Sequence, residues 1–158
     1  MGSVDASFAR ARFGSPHFDA AQARLGAVIA IGGAAGALLR WDLGREWPVL
    51  PGHFPWTTLV INVSGCLAIG VLMALIEEVL AGRIYVRPLL GVGFLGGFTT
   101  FSTFAVETRA LLGAHPAVAL VYYLGTPAAA ILATILGAVL VTSALKARTW
   151  FASRRSTA

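Results

Sequence analysis

Charge is scarce in this 158-residue chain: 12% of its residues are Asp, Glu, Lys or Arg, and only seven are acidic. A soluble domain carries about 25%. With 57% of residues hydrophobic, a chain this short lacks the polar surface to cover a soluble core. Cysteine is nearly absent. Cys66 stands alone, so it has no partner for an internal disulfide, and its apolar neighbours mark it as a small packing residue. His17, His53 and His115 are scattered, so no clustered set of metal ligands is expected. The net charge is +5, but no basic cluster interleaved with aromatics points to nucleic acid. No nucleophile stands with a base, so an enzyme is not expected.

What is present in quantity is long apolar sequence. Four runs stand out: Leu25 to Leu39, Trp56 to Ile76, Pro88 to Val106 and Ala117 to Leu145. A bilayer core of about 30 Å needs about 20 such residues in a helix. The first run is short and spans only if Arg24 and Arg40 reach the interfaces by snorkelling. The fourth is longer than needed and is expected to tilt or extend, with a kink at Pro127. The expected fold is an all-α membrane protein of four transmembrane helices. Residues 1–22 read as a flexible N-terminal tail, 23–146 as the transmembrane domain and 147–158 as a basic C-terminal tail. No apolar h-region precedes Ala20, so a secretory signal peptide is not expected.

Four spans put both tails and the middle loop on one side. That side holds Arg10, Arg12, Arg24, Arg83, Arg87, Lys146, Arg148, Arg154 and Arg155; the other holds Arg40, Arg45 and Arg109. The bias places both termini in the cytoplasm. Gly32 with Gly36 and Gly93 with Gly97 form two GxxxG pairs. Such spacing lets helix backbones approach closely in lipid.

Polar groups at bilayer depth need a partner or a function. Thr58 and Asn62 share one face of the second span. Asn62 is either interhelical glue or a donor lining a polar path. In the third span, Gly96-Gly97-Phe98-Thr99-Thr100 weakens helix propensity. A break near Gly96–Thr100 frees backbone carbonyls, which suit a hard cation such as sodium, while half-helix N-termini favour anions. An ion site near the membrane centre is therefore expected. Beyond the break, Phe101 and Phe104 share a face, with Ser102 and Thr103 between them. Phenyl edges and hydroxyls offer a small anion moderate attraction, as conduction requires. Tyr123, Pro127 and Thr134 fall on nearly one face of the fourth span, and Tyr122 with Thr126 on the adjacent one. A tyrosine there is an interfacial anchor or a pore hydroxyl. Glu77, Glu78 and Glu107 are expected to be solvated at span ends, leaving no mid-membrane carboxylate.

The stretch Gly96-Gly97-Phe98-Thr99-Thr100-Phe101-Ser102-Thr103-Phe104 resembles the third-helix motif of the Fluc/CrcB family of fluoride channels. Two further motifs are similar to that family: Thr58-x-x-x-Asn62-x-x-Gly65 and Gly32-Gly33-x-x-Gly36-Ala37-x-x-Arg40. The resemblance covers about residues 25–145. It implies passive export of cytoplasmic fluoride through two pores, made by two subunits that run antiparallel. It implies a central structural sodium ion on the backbone carbonyls of Gly96 and Thr99. By the same resemblance, Asn62, Phe101, Phe104, Ser102 and Thr103 line the pore with Thr58 and Tyr123, and Arg40 sits in the vestibule. Trp41 stands where the family commonly has tyrosine, and Pro127 and Ile131 where it continues the fourth-helix hydroxyls. The arginine bias leaves open a dual-topology homodimer or a pair with an oppositely oriented paralogue. Other readings are a small four-span transporter of another solute and a non-transporting assembly protein.

Overall fold

A computed structural model describes residues 19–155, with side chains through 148. The N-terminal segment before Asp19, with Arg10, Arg12 and His17, lies outside the described residues. Six helical segments follow in order: α1 (Ala20–Glu46), α2 (Trp56–Glu78), α3 (Arg87–Leu95), α4 (Gly96–Phe98), α5 (Ser102–Ala114) and α6 (Pro116–Arg155). Segments α3 to α5 make one interrupted span, so four stretches are long and apolar enough to cross a bilayer: 20–46, 56–78, 87–114 and 116–148. The chain is a multi-pass membrane protein.

Each span is longer than its apolar run, because helices carry polar ends into the headgroup region. Helix α6 has 40 residues, about 60 Å at 1.5 Å per residue. It continues through Pro127 and on into the segment read as the C-terminal tail. Pro127 has no N–H, so the Tyr123 carbonyl loses its helical donor there. Segment α3 is wound with i→i+5 spacing over nine residues, a wider helix of the kind found near functional sites.

The connection from α1 to α2 is fixed locally. Leu50-Pro51-Gly52-His53 closes a turn through His53 N to Leu50 O at 3.1 Å. Gly52 takes φ 76°, which a type II turn demands at its third residue. Thr57 Oγ1 then donates to Trp47 O at 2.6 Å, tying the start of α2 to the end of α1.

Glycines set the packing. Helix α1 lies along α3 and α4, and α2 along α6. A methyl group at Gly32 would strike Leu89 O, one at Gly36 would strike Phe94 O, and one at Gly97 would strike Gly33 O. Both GxxxG pairs are therefore contact faces, on which backbone meets backbone. The α2–α6 contact uses a pair that sequence reading missed: Gly70 against Thr134 O and Gly137 against Leu67 O. A small core of Phe104, Leu111, Ala119 and Tyr122 joins α5 to α6, with Phe54 and Leu59 against it.

Candidate functional site

The third span breaks at its threonines. Gly96 and Gly97 remain helical, and the chain leaves the helix at Thr99, whose φ −75° and ψ 158° are extended. Three interactions hold the break open. Asn62 grips Thr100 from both sides: Nδ2 donates to Thr100 O at 2.9 Å, and Thr100 N donates to Asn62 Oδ1 at 2.8 Å. Thr100 Oγ1 accepts from Thr103 N at 3.2 Å, capping the first turn of α5. Arg40 Nε donates to Gly97 O at 3.1 Å.

These bonds redirect the helix ladder. In a continuous helix Thr100 N–H would serve Gly96 O, and Thr103 N–H would serve Thr99 O. Both donors go elsewhere. The carbonyls of Gly96 and Thr99 are among those that lose their helical donors; that of Gly97 takes the Arg40 guanidinium instead, and that of Thr100 the Asn62 amide. The space around Gly96 is open, with nothing within 4 Å of where a Cβ would stand. Two freed carbonyls beside open space fit a hard monovalent cation.

Asn62 thus serves as interhelical glue, and it also lines a cavity. It ties helices together, and because Nδ2 carries two hydrogens, one N–H remains beyond the bond to Thr100. That group lies on the wall of a cavity of about 270 Å³, shared with Cys66, Thr99, Phe101, Phe104 and Thr126. Phe101 and Phe104 face each other at 5.8 Å between ring centroids. Their settings differ: Phe104 is 3% exposed and Phe101 77%. Thr100 also lines a second cavity, of about 380 Å³, with Arg40, Arg45, Thr58, Thr103 and Glu107. The two cavities therefore abut. Arg40 lines the polar one, as a vestibule residue would, but one of its N–H groups is committed to the helix break. Ser102 is exposed and Thr103 half-buried. Thr100 Oγ1 lies 3.4 Å from Ser102 Oγ and donates to Thr103 Oγ1 at 3.0 Å.

Glu107 requires a correction. It does not lie solvated beyond the third span, because α5 runs unbroken to Ala114 and carries Glu107 inside. Its Oε1 accepts from Thr58 Oγ1 at 2.8 Å, and its Oε2 accepts from Tyr122 OH at 2.8 Å. Thr58 therefore spends its proton on Glu107. The signal was available: Glu107 stands one turn after Phe104 on the same face. Glu77 and Glu78 are exposed, as expected of a span end.

The fourth span turns its Tyr122 face inward. Tyr122 is 1% exposed and Tyr123 54%. Tyr123 stacks on Phe104 at 6.1 Å and 13°, while Tyr122 meets the same ring at 5.1 Å and also reaches Glu107. One and two turns beyond Tyr122 stand Thr126 and Ala130, both on the smaller cavity. Pro127 lines the same cavity, so the fourth span presents one hydroxyl there, that of Thr126. Removing the Tyr122 hydroxyl (Tyr122→Phe) is expected to lower ion flux well below that of Tyr123→Phe. Matched flux assays of the two variants in liposomes check this, and the reverse order would return the role to Tyr123.

A four-span bundle whose third span breaks into freed carbonyls, with an amide, hydroxyls and phenyl rings around adjoining cavities, is the architecture of a small membrane ion channel. Residues 27–138 match the family described as CrcB-like protein, Camphor Resistance (CrcB). The chain belongs to that family. It is 48% identical over 127 residues to the fluoride-specific ion channel FluC 2 of Nocardia farcinica, covering 80% of this chain and 89% of that one. It is 46% identical over 129 residues to the fluoride-specific ion channel FluC 1 of Streptomyces coelicolor, covering 80% and 83%. A FluC of Rhizobium johnstonii is 38% identical over 120 residues, covering 75% and 95%.

Proposed function

We propose that this chain is a fluoride-specific channel that passively exports cytoplasmic fluoride across a bacterial plasma membrane. The ion is that of its relatives. The observation in this chain that carries the reading is one cavity walled by the Phe101 and Phe104 rings, the Asn62 amide and the Thr126 hydroxyl. Fluoride is small and strongly hydrated, so it crosses only where many weak donors replace its water. Arg40 and Arg45 draw the anion into the polar cavity. Thr103, Ser102, the second N–H of Asn62 and the phenyl rings then take over in turn. Thr58 and Tyr122 hold Glu107 in place, and the carboxylate in turn fixes both hydroxyls. An interior-negative potential drives the anion outward with about 2.3 kcal/mol per 100 mV.

The working unit is a dimer of two antiparallel subunits. Phe101 is an exposed ring beside the break, and a second copy laid against this face would cover it and complete the conduit. The carbonyls of Gly96 and Thr99 hold a central sodium ion, which supplies a fixed positive charge where the two breaks meet. The pairing is of like chains in dual topology.

Expression in a bacterium made sensitive to fluoride is expected to restore growth on fluoride medium. Full expression without rescue would contradict the reading. Phe101→Ile is expected to cut fluoride flux to near the leak while the purified protein still elutes as a dimer, because that ring packs on little of its own chain. Phe104→Ile is expected to cut flux and also lower the melting temperature, because Phe104 sits in the α5–α6 core. Full flux in both variants would remove the rings from the path.

A further inference from the structure

Thr58, Asn62 and Cys66 repeat at every fourth residue along α2, so they form one stripe. The first two are accounted for by Glu107 and Thr100. Cys66 carries a free, half-buried thiol. It lines the cavity of Phe101 and Phe104. It also lines an adjoining cavity of about 470 Å³ beside Gly96 and Thr99.

Thr126 points independently to a ligand in the first of these cavities. It is 4% exposed, and among the described residues its hydroxyl is a buried side-chain polar atom with no hydrogen-bond partner. Three threonines of α5 and α6 bond back to the carbonyl four residues earlier: Thr108 to Phe104, Thr134 to Ala130, Thr142 to Ala138. Thr126 departs from that habit, although it faces the same cavity as Cys66. A buried unpaired hydroxyl is costly unless something in the cavity binds it.

We propose that Cys66 is a modification site in the conduit wall, where small neutral sulfur electrophiles form a disulfide and close the path. The closure rests on the channel reading above. In the reaction the thiol gives its proton to water and its sulfur attacks the sulfenyl sulfur of a methanethiosulfonate. A new S–S bond forms, the S–SO₂ bond breaks, and methanesulfinate leaves with the electron pair. The added S–CH₃ group enters the cavity that Asn62 and Thr126 also line. An apolar plug there removes the polar continuity that a hydrated anion needs.

The test uses the full chain in liposomes treated with methyl methanethiosulfonate, with intact-protein mass and fluoride efflux read on the same sample. The expected result is one added thiomethyl group, efflux reduced to the leak of protein-free vesicles, and recovery with dithiothreitol. Cys66→Ser, compared with its own untreated rate, should lose nothing. Normal efflux with the thiol labelled would overturn closure. A thiol that stays unlabelled while the protein is folded, and labels once it is denatured, would overturn the site. A chain that carries no fluoride before treatment would instead overturn the channel reading and closure with it.

Discussion

Asn62→Ala is expected to abolish fluoride efflux and to remove the protein's response to sodium. The substitution strips both backbone partners from Thr100. Each unsatisfied buried group costs about 1–3 kcal/mol. The chain has one way to recover part of that loss, which is to return Thr100 N–H to Gly96 O and wind the third span through. Winding through consumes one of the two carbonyls assigned to sodium. The unsubstituted protein should melt higher in sodium than in N-methylglucamine buffer, since a ligand that binds only the folded state stabilises it. Asn62→Ala should show no such difference. Thr58→Val makes a milder comparison: it removes a single bond to Glu107 and should keep the sodium response. Asn62→Ala protein that conducts and responds to sodium normally would contradict the account of the break.

The second large effect is on folding. Gly36→Val places a branched side chain against the backbone of Phe94 and Phe98. Overpacking a core commonly costs about 1–3 kcal/mol. Here the obstacle is main chain, which cannot rotate aside, so α1 must lift away from α3 and α4. The Arg40 bond to Gly97 then goes with it. The expected result is loss of the monodisperse peak on size exclusion and rapid proteolysis in detergent. Gly26→Ala is the control. It lies on the same helix with nothing within 4 Å, and alanine improves helix propensity by about 1 kcal/mol. A Gly36→Val protein that elutes and melts like the parent would remove the glycine contact from the fold.

Legibility in the sequence followed the range of the interaction. The four spans were legible because length and hydropathy are local properties. The α1–α3 contact was legible because Gly32, Gly36, Gly93 and Gly97 repeat within single helices. Gly70 and Gly137 were not, since they pair across two helices and neither has a partner four residues away. The break was placed near the right residues, but its residues divide the work differently. Gly97 serves close approach to Gly33, and the threonines carry the extended backbone. The carbonyls of Gly96 and Thr99 came from family resemblance; that Thr100 N and Thr103 N bond to side chains instead of to them appears only in three dimensions.

Adjacent residues on a helix point about 100° apart, so neighbouring tyrosines cannot be told apart by spacing alone. In the folded chain both tyrosines pack on Phe104, and Tyr122 also reaches Glu107. Glu107 was misplaced because a charge was taken as the end of a span. In the folded chain its two oxygens meet hydroxyls from α2 and α6, and these partners lie far away in sequence.

The most direct test is ion efflux from liposomes that contain only this purified chain, loaded with fluoride or with chloride. The account predicts rapid fluoride efflux under an imposed potential, and chloride efflux no faster than from protein-free vesicles. Equal fluxes of the two ions, or no fluoride flux at all, would contradict it.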